Sequence, residues 1–151
     1  MESRGEVLNQ FLVEVFGQIL KAEAACLAGN DLSLRELHLI DAVCRAVDQG
    51  GDNRSTAIAA ALGITAGTLT SAVNLLEKKG YLLRRRDERD KRVVHLLPTE
   101  RGRAADARHR DFHRQMVAHV LDGLTDEEAE CTLRALGRVA EFFRRGAPER
   151  G

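Results

Sequence analysis

The sequence predicts a mainly α-helical fold carrying one small β-hairpin, and three observations lead there. Apolar residues recur at helical steps through most of the 151 residues. Strand-like segments are confined to Tyr81–Arg86 and Arg92–Leu97, with the charged run DERDK as a hairpin tip between them. The apolar content of 44% can build a core, but aromatics are only 4% and Trp is absent. Leu, Val, Ala and Ile must therefore fill the interior, which suits helices better than a sandwich.

The first helix is read over residues 6 to 28, where Val7, Leu8, Phe11, Leu12, Val15, Phe16, Ile19 and Leu20 share a stripe. Gly29-Asn30-Asp31 breaks it. Ser33 with Glu36 three residues on forms a capping box for a second helix, to about Val47, with Leu37, Ile40, Val43 and Cys44 on its apolar side. DQGGDN is a turn. A short helix then runs from Ser55 to Leu62, Gly63 ends it, and Thr65 opens another that closes at Lys79-Gly80. Two helices joined by a short Gly-containing turn make a helix-turn-helix. After the hairpin, Pro98 ends the second strand and Thr99 caps a long helix from Glu100 to about Leu121. Gly123 breaks that helix, and Thr125 with Glu128 caps a last one to about Arg144. The tail GAPERG is expected to fray. The whole, residues 1–151, reads as one domain: a winged helix-turn-helix over 33–98, with helices 6–28 and 99–145 left for dimerisation.

Formal net charge is zero, but its distribution is uneven. Residues 1 to 50 carry an acidic excess, and Lys78 to Arg114 is basic, so a phosphate-facing surface is compatible with neutrality. Cys26, Cys44 and Cys131 are odd in number and widely spaced, as expected of a reducing cytoplasm rather than a disulfide framework. No signal-peptide core is present, and no apolar run approaches the ~20 residues of a membrane span. No nucleophile–base spacing, phosphate loop or paired-carboxylate motif marks an enzyme.

The helix after Thr65 carries the site. Leu69, Ala72, Val73 and Leu76 fall on one buried stripe. Gly67, Thr70, Ser71, Asn74 and Lys78 face the other way, with Thr68 at the edge. That face is small and polar, fit to enter a major groove, and Thr65 offers its hydroxyl and backbone N–H groups to a phosphate. A two-stranded ribbon tipped by Arg89, Lys91 and Arg92 is too short to stand alone, so it is expected to pack beside this helix and reach a minor groove. Asp87 and Asp90 are read as carboxylates that hold arginine side chains in place.

The run GYLLRRRDERDKRVVHLLPTERGR resembles the wing of the MarR family of DNA-binding regulators, and the resemblance covers roughly residues 7 to 145. It implies that Asp90 and Arg92 occupy the family's Asp and minor-groove Arg positions and that Arg84 is the basic residue opening the wing, with Arg86 following on the same strand. Pro98-Thr99 stands where the family has Leu-Thr. SLRELHLIDAV, GTLTSAVNLLEKKGY, KRVVH and RDFHRQMV further resemble the branch that represses fatty-acid biosynthesis genes. That implies an acyl chain on acyl carrier protein as effector. The apolar faces marked by Phe11 and Phe16 on the first helix and by Phe142 and Phe143 on the last are expected to join two copies into a homodimer on double-stranded DNA. Leu20, Leu37, Ile40, Phe112 and Met116 are the expected wall of its pocket, against the simpler reading of a closed core. No cofactor is required for the fold, and no membrane partner is expected.

Two other readings stand beside it. Zinc-sensing family members use a His of the second helix, an HxxxH pair of the fifth and an acidic residue of the first; His38, His109, His113 and Glu23 fit that pattern, and three nitrogens with one oxygen satisfy tetrahedral zinc. Otherwise these are junction histidines making hydrogen bonds. A winged helix can also serve as a protein-interaction module without DNA, in which case Asp90 would have no reason to orient Arg92.

Overall fold

The computed structural model describes residues 1–146. The helices are α1 (Arg4–Ala25), α2 (Leu34–Asp48), α3 (Ser55–Leu62), α4 (Ala66–Lys78), α5 (Glu100–Asp122) and α6 (Asp126–Arg144); the strands are β1 (Leu82–Arg86) and β2 (Val94–Pro98). This is a mainly α-helical winged helix-turn-helix. The chain forms two compact units, one over Met1–Phe112 and one from His113 onward, so α5 begins in the first and ends in the second. Of the GAPERG tail, Ala147 to Gly151 lie outside the described residues.

Local chemistry sets most boundaries. Ser33 and Glu36 cap α2 reciprocally, Ser33 Oγ accepting from Glu36 N at 3.2 Å and Glu36 Oε2 from Ser33 N at 2.7 Å. Thr125 and Glu128 repeat the box at α6. The same device starts α1 earlier than its apolar pattern suggests: Ser3 and Glu6 form a third box, so the helix runs Arg4–Ala25 rather than 6–28. Gly63 ends α3 at φ 65°, left-handed backbone that a side chain would disfavour.

The first unit's core packs Leu37, Ile40 and Val43 of α2 with Ile58, Leu69, Val73, Leu76, Tyr81, Leu82 and Leu96. The ribbon is antiparallel, pairing Leu82 with Pro98 through to Arg86 with Val94. β2 starts at Val94 rather than Arg92. Val93 N donates to Asp90 O at 3.0 Å and Val93 O accepts from Asp87 N at 2.9 Å, so Arg92 and Val93 belong to the turn. Among the described residues, no single helix is long and apolar enough to cross a membrane.

Candidate nucleic-acid interface

Helix α4 starts where Thr65 Oγ1 accepts from Thr68 N at 3.1 Å. Its Leu69, Val73 and Leu76 are buried and Ala72 is half-buried, so the predicted stripe faces the core. Gly67, Thr68, Thr70, Ser71, Asn74 and Lys78 are all exposed. The Thr70 hydroxyl donates back to Ala66 O at 2.9 Å, which leaves its methyl and its oxygen lone pairs toward solvent. Ser71 and Asn74 sit in the middle of this face, where an amide or hydroxyl can reach base edges.

The wing tip is pre-arranged. Asp90 grips Arg92 with both oxygens, Oδ1 at 3.1 Å from Nε and Oδ2 at 3.2 Å from Nη2, while Oδ1 also accepts from Arg92 N at 3.0 Å. The Arg92 hydrogen bond holds the Asp90 carboxyl below its ordinary range. The Arg92 side chain is nonetheless 91% exposed, so the fork is oriented without being covered. Arg86, Arg89 and Lys91 are exposed around it.

Asp87 does something other than hold an arginine. Its Oδ1 accepts from Arg89 N at 2.8 Å and Asp90 N at 3.1 Å, which closes the tip, and its Oδ2 lies 3.0 Å from His95 Nε2. The His95 hydrogen bond and the two backbone donors push the Asp87 pKa down to about 2. His95 Nδ1 faces Asn53 Oδ1 at 3.0 Å, and Asn53 Nδ2 donates to Leu96 O at 2.9 Å. With Leu96 N donating to Asn53 O, these contacts sew the α2–α3 loop to the ribbon. Asn53 and His95 escaped sequence reasoning because they are 42 residues apart; the only local signal was a turn cluster.

Arg84 is engaged on the near side of the ribbon. Its Nη2 donates to Thr70 O at 3.2 Å and its Nη1 lies 3.5 Å from Glu77, which ties β1 to α4. Between helix and ribbon runs a groove of about 480 Å³ with Thr70, Asn74, Arg84 and Arg86 on its walls. The Lys79 ammonium donates to Asp31 O and to Glu36, and Tyr81 donates to Asp31 at 2.7 Å beneath the Arg101 guanidinium. The end of α4 is thereby fixed to the start of α2.

The histidine set is partly assembled in the first unit. Glu23 Oε1 lies 2.8 Å from His109 Nε2 and 3.4 Å from His38 Nε2, with Glu23 and His109 buried. His113 follows one turn later on α5, in the second unit. Of the residues expected to line an effector pocket, Leu37 and Ile40 are 0% exposed: no water-sized space touches them in this conformation. Leu20 and Phe112 are half-buried in the first unit, and Met116 belongs to the second.

A capped helix with an exposed small polar face, flanked by a ribbon whose tip holds an oriented arginine, defines a winged helix-turn-helix of the DNA-binding kind. The sequence profile of the MarR family matches residues 43–94, from α2 to the first residue of β2. Streptococcus pneumoniae FabT, solved in complex with DNA, superposes with a TM-score of 0.80 at 34% identity, over 91% of this chain and 96% of that one. The chain belongs to the MarR family of transcriptional regulators, which argues against an enzymatic function. Staphylococcus aureus MepR, also solved with DNA, shares the fold with a TM-score of 0.66 at 22% identity, over 87% of this chain and 96% of that one. The HTH-type transcriptional regulator YwhA of Bacillus subtilis is 31% identical over 72 residues, 48% of this chain and 52% of its own length. YcgE of the same bacterium is 31% identical over 85 residues, 54% and 53% respectively. The match thus spans about half the length of these two relatives.

Proposed function

We propose that this protein is a cytoplasmic, sequence-specific DNA-binding repressor that acts as a homodimer on a pseudo-palindromic operator. The observation that carries this reading is the bidentate Asp90–Arg92 pair on an otherwise exposed tip. A turn kept merely soluble needs no oriented guanidinium, whereas a minor groove does. In this reading residues 33–98 bind DNA, with Ser71 and Asn74 addressing base edges, Thr65 and Lys78 addressing phosphates and Arg84 bracing α4. The helices over 6–28 and 99–145 dimerise.

The test begins with selection of operators from a random duplex library and titration by fluorescence anisotropy. Arg92→Ala weakens binding by roughly tenfold or more and flattens the salt slope by about 1. Asn74→Ala relaxes preference at one base pair, by about 1–3 kcal/mol, with less effect on nonspecific binding. Failure to enrich any sequence would favour the interaction-module reading, and an unchanged Arg92→Ala slope would remove the wing from the mechanism.

For the effector we propose a long acyl chain delivered by acyl carrier protein. Its support is the resemblance to the fatty-acid branch and the likeness to FabT over nearly the whole chain. Because Leu37 and Ile40 are sealed here, the chain must select a conformation in which α2 has parted from its neighbours. Long-chain acyl carrier protein is expected to tighten operator binding and chelators to leave it unchanged. If a chelator abolishes binding and zinc restores it, the Glu23, His38, His109 and His113 reading replaces this one.

A further inference from the structure

Helix α2 and the first part of α5 bring three acceptor atoms to one buried place that the DNA-binding reading does not use. Asp41 stands on α2; Asp106 and His109 stand three residues apart on α5 and share a face. One donor atom from each lies within 4.8 Å of the other two. Exposure is 9% at Asp41, 3% at Asp106 and 3% at His109. Each carboxylate has one oxygen occupied: Asp41 Oδ2 by Arg45 Nε at 2.9 Å, Asp106 Oδ2 by Arg110 Nε at 2.6 Å. The other oxygens, Asp41 Oδ1 and Asp106 Oδ1, are buried with no hydrogen-bond partner.

The imidazole is oriented to match. His109 Nε2 lies 2.8 Å from Glu23 Oε1, and a carboxylate can only accept, so Nε2 carries the proton. In the neutral ring Nδ1, 4.0 Å from Asp41 Oδ1, then presents a lone pair. Two carboxylate oxygens and an imidazole nitrogen converge away from water, and Arg110 Nε, 2.6 Å from Asp106 Oδ2 and 3.7 Å from Asp41 Oδ1, offsets their repulsion from one side only. A carboxylate fixing the remote nitrogen of an imidazole is the arrangement by which proteins aim a histidine at a metal.

We propose that Asp41 Oδ1, Asp106 Oδ1 and His109 Nδ1 bind one divalent transition-metal cation of the zinc class, with Glu23 outside the coordination sphere. One nitrogen and two oxygens suit such an ion, and three protein donors leave a fourth tetrahedral position for water. Ligand atoms around tetrahedral zinc lie about 3.3 Å apart, so the side chains close on the ion by about an ångström. Arg110 stands 3.7 Å from Asp41 Oδ1, but its side chain is 39% exposed and its Nη1 already lies 3.3 Å from Asp48, toward which it turns when the cation enters. The site differs from the Glu23, His38, His109 and His113 set in its ligands and in the nitrogen used. It depends on neither the DNA-binding nor the acyl reading.

The test uses the full chain, stripped with EDTA and titrated with Co²⁺ followed by Zn²⁺. One equivalent of Co²⁺ is expected, with visible absorption bands that Zn²⁺ displaces. Asp41→Asn and Asp106→Asn should each weaken Co²⁺ binding at least tenfold, and His38→Gln should leave it unchanged. Histidine-ring NMR on the wild-type protein decides the matter even if a variant unfolds: Zn²⁺ should shift His109 Nδ1 while Nε2 keeps its proton. The proposal is overturned if no saturable single equivalent binds, if both Asn variants bind as the wild type does, or if the zinc-induced shifts appear at His38 and His113 instead.

Discussion

Among the glycines of the described residues, Gly102 bears the tightest steric constraint. A Cβ there would stand 2.2 Å from Tyr81 O, far inside contact distance. That carbonyl is already the acceptor for Thr99 N and Thr99 Oγ1, each at 3.1 Å, so it is fixed where the ribbon hands over to α5. Gly102→Ala must push α5 away from this junction. We expect a loss of about 1–3 kcal/mol, read as a lower urea midpoint at unchanged slope. Gly67, with nothing within 4 Å of its Cβ position, is the matched control, and Gly67→Ala should be neutral or slightly stabilising. At the wing, Asp90→Asn keeps a turn-forming side chain but removes the charge that holds Arg92. Operator affinity should fall, by less than for Arg92→Ala, because the guanidinium remains and only its orientation is lost. The two wing residues differ in how readable they were. Asp90 and Arg92 are two apart and their pairing is local, whereas Asp87 was misread because its partner, His95, comes from the opposite strand.

Among the elements, those with local start signals were the legible ones. The Ser33–Glu36 and Thr125–Glu128 boxes were visible as spacings and occur as such. The Ser3–Glu6 box was overlooked because the apolar repeat begins only at Val7, so periodicity placed the start of α1 too late. Ser33→Ala should cost about 1 kcal/mol by thermal or urea denaturation, since it exposes the first turn of the helix that anchors the core. The ribbon owes its shape to contacts no short window contains, and its pH response follows from one of them. Asp87 has its pKa lowered from 3.8 to about 2 by His95 and two backbone N–H groups. A carboxylate depressed on folding stabilises the native wing above its unfolded value and loses that contribution as pH falls through the folded one. The tip therefore stays closed at neutral pH and loosens between about pH 4 and 2. The amide signals of Arg89 and Asp90, which donate to Asp87, should titrate with a midpoint near 2. A midpoint at 3.8 would mean that the His95 tie does not form in solution.

The apolar surface that the single chain leaves uncovered bears on the whole molecule. In the first unit, Val7, Leu8, Phe11, Val13 and Phe16 of α1 are each more than half exposed. In the second, α6 buries none of its residues, and Leu133, Leu136, Phe142 and Phe143 stand out from it. Scattered exposed apolar residues are ordinary, but two helices with unfilled apolar faces are what an obligate partner would cover. The sequence showed these faces through Phe11, Phe16, Phe142 and Phe143. In the homodimer proposed above, the fit between two copies would depend on the folded shape of these faces, which no stretch of sequence contains. If α6 is part of a twofold interface, a charge on its apolar face is buried twice per dimer, away from the water that would otherwise hydrate it. Leu136→Glu combined with Phe142→Glu should therefore sediment as a monomer at micromolar concentration, while the far-UV circular dichroism of the first unit's helices persists. The monomer presents a single recognition helix. It should bind one half-site weakly and lose the preference for two half-sites one helical turn apart. A double variant that still sediments as a dimer, with operator affinity intact, would take α6 out of the interface and leave the exposed face of α1 as the surface to be charged next.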